Sequence, residues 1–276
     1  MDDALALESS LLDLLRTRVG SRRALVCFSG GVDSTLVLAA SIRAGLDTLA
    51  LLAVSPSLPQ AERAEAHALA GEMGADLQEL STGETDLPAY RANSGDRCYH
   101  CKSTLYGAAE AEARRQNLAG VLLNGTQLDD LGDVRPGLRA ASEHEVFSPL
   151  LEAGFDKEAV RRLARHWGLS NADKAAAPCL ASRFPVGTEV TPERLRQVEQ
   201  VEDFLRAQGL WPARARWHDS VVRLEIERDL IHRALEEPLR TELERACWRA
   251  GFRFVAVDLA GLQSGSLAKS LVAIAK

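Results

Sequence analysis

The chain has 276 residues, of which 46% are hydrophobic and 26% are charged, a composition typical of a globular protein. Its formal net charge is −6, and residues 185–276 carry equal numbers of basic and acidic side chains, which argues against a basic nucleic-acid platform. No apolar run reaches the roughly 18–20 residues of a membrane helix, and the acidic N-terminus differs from a secretory signal. We therefore expect a cytoplasmic protein that binds neither membrane nor nucleic acid.

The first half of the chain alternates strands with helices. A packing helix is predicted over 3–19. Strands are predicted over 24–28, 48–54, 77–80 and 120–124, and helices over 32–43, 60–73, 103–117 and 157–167. The alternation predicts an α/β fold with a doubly wound parallel sheet and a ligand site beyond the carboxyl ends of its strands. A functional loop is predicted over 82–102, and residues 133–149 are predicted to be irregular.

A smaller α+β domain is predicted after a linker over 185–189. Thr191 is the predicted N-cap of its first helix, which ends at 208. Residues 229–248 are predicted to be helical with a break near Pro238. Strands are predicted over 214–217, 221–226 and 252–258, and a glycine–serine loop over 261–266. The predicted domains are residues 1–184 and residues 185–276.

The turn after the first predicted strand, 29–34 (SGGVDS), is a candidate phosphate site. Strand, glycine turn and helix, in that order, direct backbone N–H groups and the positive end of a helix dipole at one place. Its two glycines permit close approach of a phosphate, and Asp33 offers oxygen ligands to Mg²⁺. The turn lacks the lysine of a Walker A loop. The predicted phosphate-binding residues are Ser29, Gly30, Gly31, Val32 and Ser34.

Five cysteines, an odd number, argue against a disulfide framework. Cys27 and Cys247 fall inside predicted elements, and we expect small buried hydrophobes there. Cys98 and Cys101 form a CxxC pair at the end of the long loop. From the residues alone, this pair is either a redox pair or half of a zinc site completed by Cys179 and a histidine such as His100.

Two further loops carry reactive or metal-binding side chains. In 125–130 (GTQLDD), after the fourth predicted strand, Gly125 and Asp129 are candidate ligand contacts, but the carboxylates of this segment could equally cap a turn. In 177–185 (APCLASRFP), Arg183 would favour the thiolate of Cys179, which is the reactive form. A buried loop cysteine is the alternative.

Taken together, the segments resemble the LarE-type ATP-dependent sulfur transferases of the PP-loop ATP pyrophosphatase superfamily. The resemblance covers nearly the whole chain. It rests on SGGVDS at 29–34, RCYHCK at 97–102, GTQLDD at 125–130, PCLASR at 178–183, RARWHDSVVRLE at 214–225 and GFRFVAVDLAGLQSGS at 251–266.

The resemblance implies an enzyme of nickel-pincer nucleotide biosynthesis. ATP would adenylate a carboxylate of pyridinium-3,5-biscarboxylic acid mononucleotide with release of pyrophosphate. A sulfur nucleophile would then displace AMP and leave a thiocarboxylate, and the step would be repeated at the other carboxylate. This logic is sound because an acyl-adenylate has a good leaving group where a carboxylate has none.

The family has two sulfur sources. In one type, the cysteine that matches Cys179 gives up its own sulfur and becomes dehydroalanine. In the other, three cysteines hold a [4Fe–4S] cluster that carries an extra sulfide. Cys98, Cys101 and Cys179 make this chain resemble the second type, and the implied cofactors are ATP, Mg²⁺ and a [4Fe–4S] cluster. Three thiolates leave one iron open, and soft sulfur ligands suit such clusters.

Other roles follow from the same resemblance. Asp33 is the expected Mg²⁺ ligand, and Lys102 and Arg183 are expected to stabilise the adenylate or the nucleotide phosphate. Arg214 and Arg216, two apart on a strand, point the same way and match the arginines that bind the substrate phosphate. Weaker candidates are Glu202, Glu225 and Asp229, which could equally be solvated surface carboxylates. Gln127 and Leu128 depart from the family pattern.

The implied partners are the pyridinium dicarboxylate mononucleotide, sulfide or a sulfur-loading protein, and further copies of the chain in a homo-oligomer. A PP-loop tRNA thiolase is the nearest alternative, but it usually needs an RNA-binding extension or a basic surface. An amide-forming relative of NAD or GMP synthetases would not need the clustered cysteines. A non-catalytic nucleotide sensor would not need both the clustered cysteines and the SGGVDS turn.

Overall fold

The computed structural model describes residues 2–116, 119–132 and 136–263, which form two compact units. The first unit comprises the chain up to Tyr90 together with Gly95–Pro178. The second comprises Arg91–Ser94 and the chain from Cys179 onward. Residues 179–184, which the predicted boundary at 184/185 placed in the first domain, thus lie in the second unit, because the turn Leu180–Arg183 packs on elements of that unit.

The first unit is built on a parallel sheet in the order β3-β2-β1-β4. Its strands are β1 (Arg23–Cys27), β2 (Thr48–Val54), β3 (Leu77–Ser81) and β4 (Gly120–Leu123). Its helices are α1 (Asp2–Val19), α2 (Val32–Arg43), α3 (Gln60–Glu72), α4 (Pro88–Ala92), α5 (Arg97–Arg115), α6 (Pro136–Glu143), α7 (Pro149–Glu152) and α8 (Lys157–His166). The last residues of α4 belong to the second unit.

The sheet is covered on both faces, as the sequence predicts. Along β1, Ala24 and Val26 belong to the apolar cluster shared with α1, α2, α3 and α8. The alternate residues Leu25 and Cys27 belong to the opposite cluster with α5 and α6. Because successive side chains of a strand point to opposite faces, this alternation confirms the doubly wound α/β fold.

Two predicted irregular stretches are in fact helical. In the long predicted loop 82–102, α5 begins at Arg97, so the CxxC pair lies on a helix. Gly95, with φ +101°, marks the break before it, and no glycine or proline interrupts the next ten residues. Within the predicted irregular stretch 133–149, α6 forms because Ala140 and Ala141 are small enough to pack against α5.

The second unit is an α+β arrangement in which a three-stranded sheet packs on helices. The sheet order is β5-β6-β7, with β5 antiparallel and β7 parallel to β6. Its strands are β5 (Ala213–His218), β6 (Val221–Ile226) and β7 (Phe254–Val257). Its helices are α9 (Pro192–Ala207), α10 (Ile231–Ala234) and α11 (Leu239–Arg249).

Local signals set the ends of these elements. The Thr191 hydroxyl accepts a bond from the Arg194 N–H and caps α9, as predicted. The predicted break at Pro238 separates α10 from α11. Residues 264–266 of the predicted glycine–serine loop lie outside the described residues. None of the helices described here is both long and apolar enough to cross a membrane.

Candidate active site

The glycine turn 29–34 connects β1 to α2 where the order of the sheet reverses between β1 and β4. The Ser34 hydroxyl accepts from the Ser29 N–H at 3.2 Å and donates to the Gly31 carbonyl at 3.0 Å. The α2 helix starts after Gly31 without a side-chain cap. Its first turn therefore keeps the features of an anion site, namely backbone N–H groups and the positive end of a 12-residue helix.

The acidic residue of the turn suits a cation on the bound phosphates. Asp33 lies half-buried in the first turn of α2, four residues after the exposed Ser29. Carboxylate and hydroxyl oxygens are the ligand type that Mg²⁺ prefers, so this donor set fits a magnesium–phosphate group. The Val32 side chain is buried in the core, which leaves its backbone as the only part suited to bind phosphate.

Two glycines are required by close packing around the turn. Gly30 has φ +73°, and a Cβ there would lie 3.2 Å from the Cβ of Ala66. A Cβ on Gly125 would lie 2.8 Å from the backbone nitrogen of Ser34 and 2.9 Å from the carbonyl carbon of Asp33. The loop after β4 thus packs directly against the first turn of α2, which gives the predicted site residue Gly125 a steric role.

The carboxylates after β4 cap local structure. Asp129 Oδ2 accepts a bond of 2.9 Å from the backbone N–H of Lys157 at the start of α8. Asp130 Oδ2 accepts a bond of 3.0 Å from the backbone N–H of Gln127. These contacts match the capping alternative that the spacing left open, and a ligand-binding role for Asp129 stays a prediction.

Behind the turn, the segment after α8 contacts its backbone. The Asn171 side-chain amide donates to the Gly30 carbonyl at 3.1 Å and to Thr35 Oγ1 at 2.9 Å. Lys174 Nζ lies 3.5 Å from the same carbonyl and pairs with Glu62 at 2.7 Å. Neither residue is predicted from the sequence, because their only local signal is a polar turn that follows a helix end.

The CxxC pair lies in the first two turns of α5. Cys98 is exposed and Cys101 is half-buried, and a spacing of three residues places them on one face of the helix. The positive end of the helix favours negative charge there. His100 Nε2 lies 3.3 Å from Asp96 Oδ2. Two accessible thiols at a helix N-terminus fit a soft metal or cluster as thiolate ligands.

The acidic groups around Lys102 shift its pKa. Although part of its side chain reaches solvent, burial of the ammonium opposes its charge. Coulombic attraction outweighs this effect and raises the pKa of Lys102, the acids being Tyr106, Cys101, Cys27 and Cys98. Burial also raises the pKa of Cys27 to about 11, so that thiol stays neutral at pH 7. The Lys102 cation is therefore positioned to favour negative charge beside the CxxC pair.

In the second unit, Arg183 holds the turn that carries Cys179. The exposed Cys179 directly precedes the short 3-10 helix Leu180–Arg183. Its carbonyl accepts bonds from the Ser182 N–H at 2.9 Å and from Arg183 Nη1 at 3.0 Å. Arg183 is only 2% exposed and pairs with both carboxylate oxygens of Glu202, at 2.8 and 2.7 Å. Arg183 thus contacts the backbone carbonyl of Cys179 and acts as a positioning residue of the turn.

Arg216 holds the same turn from β5. Its Nη1 donates to the Ser182 carbonyl at 2.9 Å, while Nε and Nη2 both donate to Glu225 Oε2, at 2.9 and 2.8 Å. Glu225 is completely buried, and its Oε1 accepts from Arg223 at 2.9 Å. Glu202 and Glu225 are therefore not solvated surface carboxylates but the buried partners of the two arginines that fix the turn.

Arg214 lies on the same face of β5 as Arg216 and opposite Glu225. Burial lowers the pKa of Arg214, and repulsion by Arg183 and Arg216 acts in the same direction. Four arginines share this region with three carboxylates, an excess of positive charge that suits a phosphate group. The set comprises Arg183, Arg214, Arg216, Arg223, Glu202, Glu225 and Asp258.

The remaining predicted site residues and cysteines lie as follows. Asp229 lies exposed in the 3-10 helix Arg228–Leu230. Within the described residues, no group of three or more His, Cys, Asp or Glu side chains forms a metal-binding arrangement. Cys27 and Cys247 are buried, as predicted from their positions in a strand and a helix.

The glycine turn at the reversal point of a doubly wound sheet defines an α/β protein of the PP-loop class. No family model matches the chain. A pyridinium-3,5-bisthiocarboxylic acid mononucleotide synthase of Lactiplantibacillus plantarum is 36% identical over 252 residues, 91% of this chain and 90% of that protein. The chain belongs to the family of that synthase, the LarE type.

Two uncharacterized relatives extend this comparison. A protein of Synechocystis is 38% identical over 266 residues, which are 96% of this chain and 99% of that protein. A protein of Methanocaldococcus jannaschii is 26% identical over 245 residues, which are 89% of this chain and 92% of that protein. All three alignments cover nearly the whole chain, so the similarity includes both units.

Proposed function

We propose that this chain makes pyridinium-3,5-bisthiocarboxylic acid mononucleotide by ATP-dependent sulfur transfer to both carboxylates of the corresponding dicarboxylic acid. The observation that carries the proposal is the 36% identity to the Lactiplantibacillus synthase over 91% of the chain. The glycine turn supports the use of ATP, because an uncapped helix N-terminus after two glycines suits a polyphosphate.

The chemistry has two steps at each carboxylate. A carboxylate oxygen of the substrate attacks the α-phosphorus of ATP. The bond between the α-phosphorus and the oxygen that bridges it to the β-phosphate breaks, and pyrophosphate leaves. A sulfur nucleophile then adds to the acyl carbon, and the bond to the AMP oxygen breaks to give a thiocarboxylate and AMP. The start of α2 would stabilise the charge on the departing pyrophosphate, with Asp33 as the residue that would hold Mg²⁺ there.

The arginines of the second unit support the choice of a phosphorylated substrate. Arg214 is half-buried, and it adds positive charge to a set in which Arg183 and Arg216 already pair with carboxylates. We assign the substrate phosphate to Arg214, with Arg216 adding charge while it holds the Cys179 turn. Lys102 would stabilise the acyl-adenylate.

For the sulfur source, we propose that Cys98, Cys101 and Cys179 hold a [4Fe–4S] cluster. The support is chemical: two accessible thiols share one face of α5 beside a cationic Lys102, and the third thiol is exposed. When bound, the cluster supplies transferable sulfide, which free sulfide or a sulfur-loading protein would replenish. We also propose a homo-oligomer as the working form.

Pyrophosphate release tests the adenylation step. The protein with ATP, Mg²⁺ and the pyridinium dicarboxylate mononucleotide should release pyrophosphate, and Asp33→Asn should reduce the rate at least about a hundredfold, as expected for loss of a metal ligand in phosphoryl chemistry. Release that needs no pyridinium substrate, or that survives Asp33→Asn, would contradict the assignment.

Iron content after anaerobic purification tests the cluster. The wild type should contain about four irons per chain, and Cys98→Ala, Cys101→Ala and Cys179→Ala should each lose most of it. Cys247→Ala is the matched control, because that thiol is buried in α11 and should leave iron unchanged. Without iron in the wild type, mass spectrometry after turnover should instead show Cys179 lighter by one H₂S, the mark of a sacrificial cysteine.

A further inference from the structure

Asn171 contacts the glycine turn from behind. Gly168, with φ +67°, ends α8 and reverses the chain, so that Asn171 comes to lie under the turn with only 5% of its surface exposed. Its amide nitrogen donates to the Gly30 carbonyl at 3.1 Å and to Thr35 Oγ1 at 2.9 Å. The Thr35 hydroxyl in turn donates to the Gly31 carbonyl at 2.9 Å. One buried amide thus holds two consecutive carbonyls of the turn, one of them directly and the other through a hydroxyl.

Holding those carbonyls also sets the direction of the N–H groups. In a trans peptide the C=O and the following N–H point in opposite directions. A Gly30 carbonyl bound to Asn171 therefore turns the Gly31 N–H away from Asn171 and towards the exposed Ser29 hydroxyl, whose Oγ accepts a hydrogen bond from it at 3.4 Å. Glycine allows a peptide to rotate through conformations that other residues avoid, so this orientation needs an external anchor.

The same amide group has an unfavourable feature. Asn171 Oδ1 is buried and has no hydrogen-bond partner among the described residues. A buried acceptor without a partner destabilises the folded state, and such exceptions in a well-packed protein call for a functional reason. The two bonds donated by the amide nitrogen supply one.

We infer that Asn171 is a positioning residue for nucleotide binding, which orients the Gly31 N–H towards the phosphates of ATP. The inference rests on the proposed use of ATP. Lys174 is a weaker second anchor, because its ammonium lies 3.5 Å from the Gly30 carbonyl and is shared with Glu62 and Glu65. Lys174 lies five residues before Cys179 in the sequence, so this anchor belongs to the segment that leads to the reactive loop.

The test compares variants that keep the size of the buried side chain. Asn171→Asp is isosteric, but its ionised carboxylate cannot donate to the Gly30 carbonyl, whereas Asn171→Ala removes the group. Ser41→Ala is the matched control: Ser41 is completely buried in α2, but its hydroxyl bonds to the Val37 carbonyl, away from the turn. Lys174→Met should have a smaller effect than either Asn171 variant.

Two measurements on the full chain give the answer. In pyrophosphate-release kinetics, Asn171→Asp and Asn171→Ala should raise KM for ATP about tenfold, the size of one hydrogen bond, and change kcat much less. In hydrogen–deuterium exchange without ligand, both should speed exchange of the peptide over 29–35 and leave β2 and β3 unchanged. Ser41→Ala should match the wild type in both.

A KM for ATP and an exchange rate that both stay at wild-type values in Asn171→Asp would overturn the inference. A uniform loss of kcat with general acceleration of exchange would also overturn it, because it would mean a purely structural role. If the wild type itself releases no pyrophosphate, the proposed function fails. Exchange over 29–35 then still decides whether Asn171 orients the turn.

Discussion

Close contacts of single atoms limit which side chains fit around the glycine turn, and Gly125 is the clearest case. We predict that Gly125→Ala reduces pyrophosphate release at least tenfold, because its Cβ would lie 2.8 Å from the Ser34 backbone nitrogen and displace the first turn of α2. Gly132→Ala is the control, since a Cβ there meets no atom of the described part of the chain within 4 Å. Normal turnover by Gly125→Ala would show that the turn tolerates the displacement.

The buried ion pairs of the second unit allow a prediction about stability. Glu225→Gln should lower the free energy of unfolding in urea by about 3 kcal/mol, because it leaves the guanidinium of Arg216 buried without its countercharge. Glu237→Gln, in an exposed pair with Arg240, should change the free energy of unfolding far less, because solvent screens that pair. Equal effects of the two substitutions would contradict this account.

Residue patterns predicted the arginines but not what they contact. Spacing along β5 was enough to place Arg214 and Arg216 on one face. The pairing of Arg216 with Glu225, and of Arg183 with Glu202, depends on strand register and helix packing, which have no local signature. A phosphate-binding arginine and a structural one therefore look alike in a sequence, and only their partners distinguish them.

For whole elements, the sequence was most reliable where hydrophobic periodicity was strong. The parallel sheet, the cap of α9 and the break at Pro238 follow from alternation, capping and proline geometry. The predicted start of α5 is six residues too late, since cysteines and aromatic residues are weak helix formers. It is helical because Gly95 ends the preceding segment and α6 packs against it.

The helical start of α5 gives Lys102 a testable role. Lys102→Met should lower kcat for pyrophosphate release about tenfold to a hundredfold, because the cation that we propose for stabilising the acyl-adenylate would be lost while the apolar stem is kept. Arg114→Met, at the exposed end of the same helix, should have no effect. Unchanged kcat in Lys102→Met would remove Lys102 from the catalytic machinery.

At the scale of the whole molecule, each unit contains a buried thiol that limits alkaline stability. Burial raises the pKa of Cys27 to about 11 and that of Cys247 to about 12, from an ordinary value of 9.0. These thiols ionise at a lower pH in the unfolded chain than in the folded protein. Their contribution to the free energy of unfolding is therefore complete below pH 9. It is lost progressively as the pH rises towards their folded-state values.

We therefore predict a steep fall in Tm between pH 9 and pH 11, the range in which these thiols ionise first in the unfolded chain. Cys247→Ala should make the fall shallower in the transition of the second unit. Cys179→Ala, which changes an exposed residue, should leave the slope unaltered. A pH dependence identical in wild type and Cys247→Ala would assign the effect to other groups.

The way in which the Cys179 turn is held has a consequence for its sulfur. Arg183 and Arg216 donate hydrogen bonds to the carbonyl oxygens of Cys179 and Ser182. The contacts that hold the turn therefore use the backbone of the cysteine and not its sulfur. Removal of the sulfur, its oxidation, or its capture by iron would therefore leave the architecture of the second unit intact. The sulfur atom can be exchanged or given away without unfolding the scaffold that presents it.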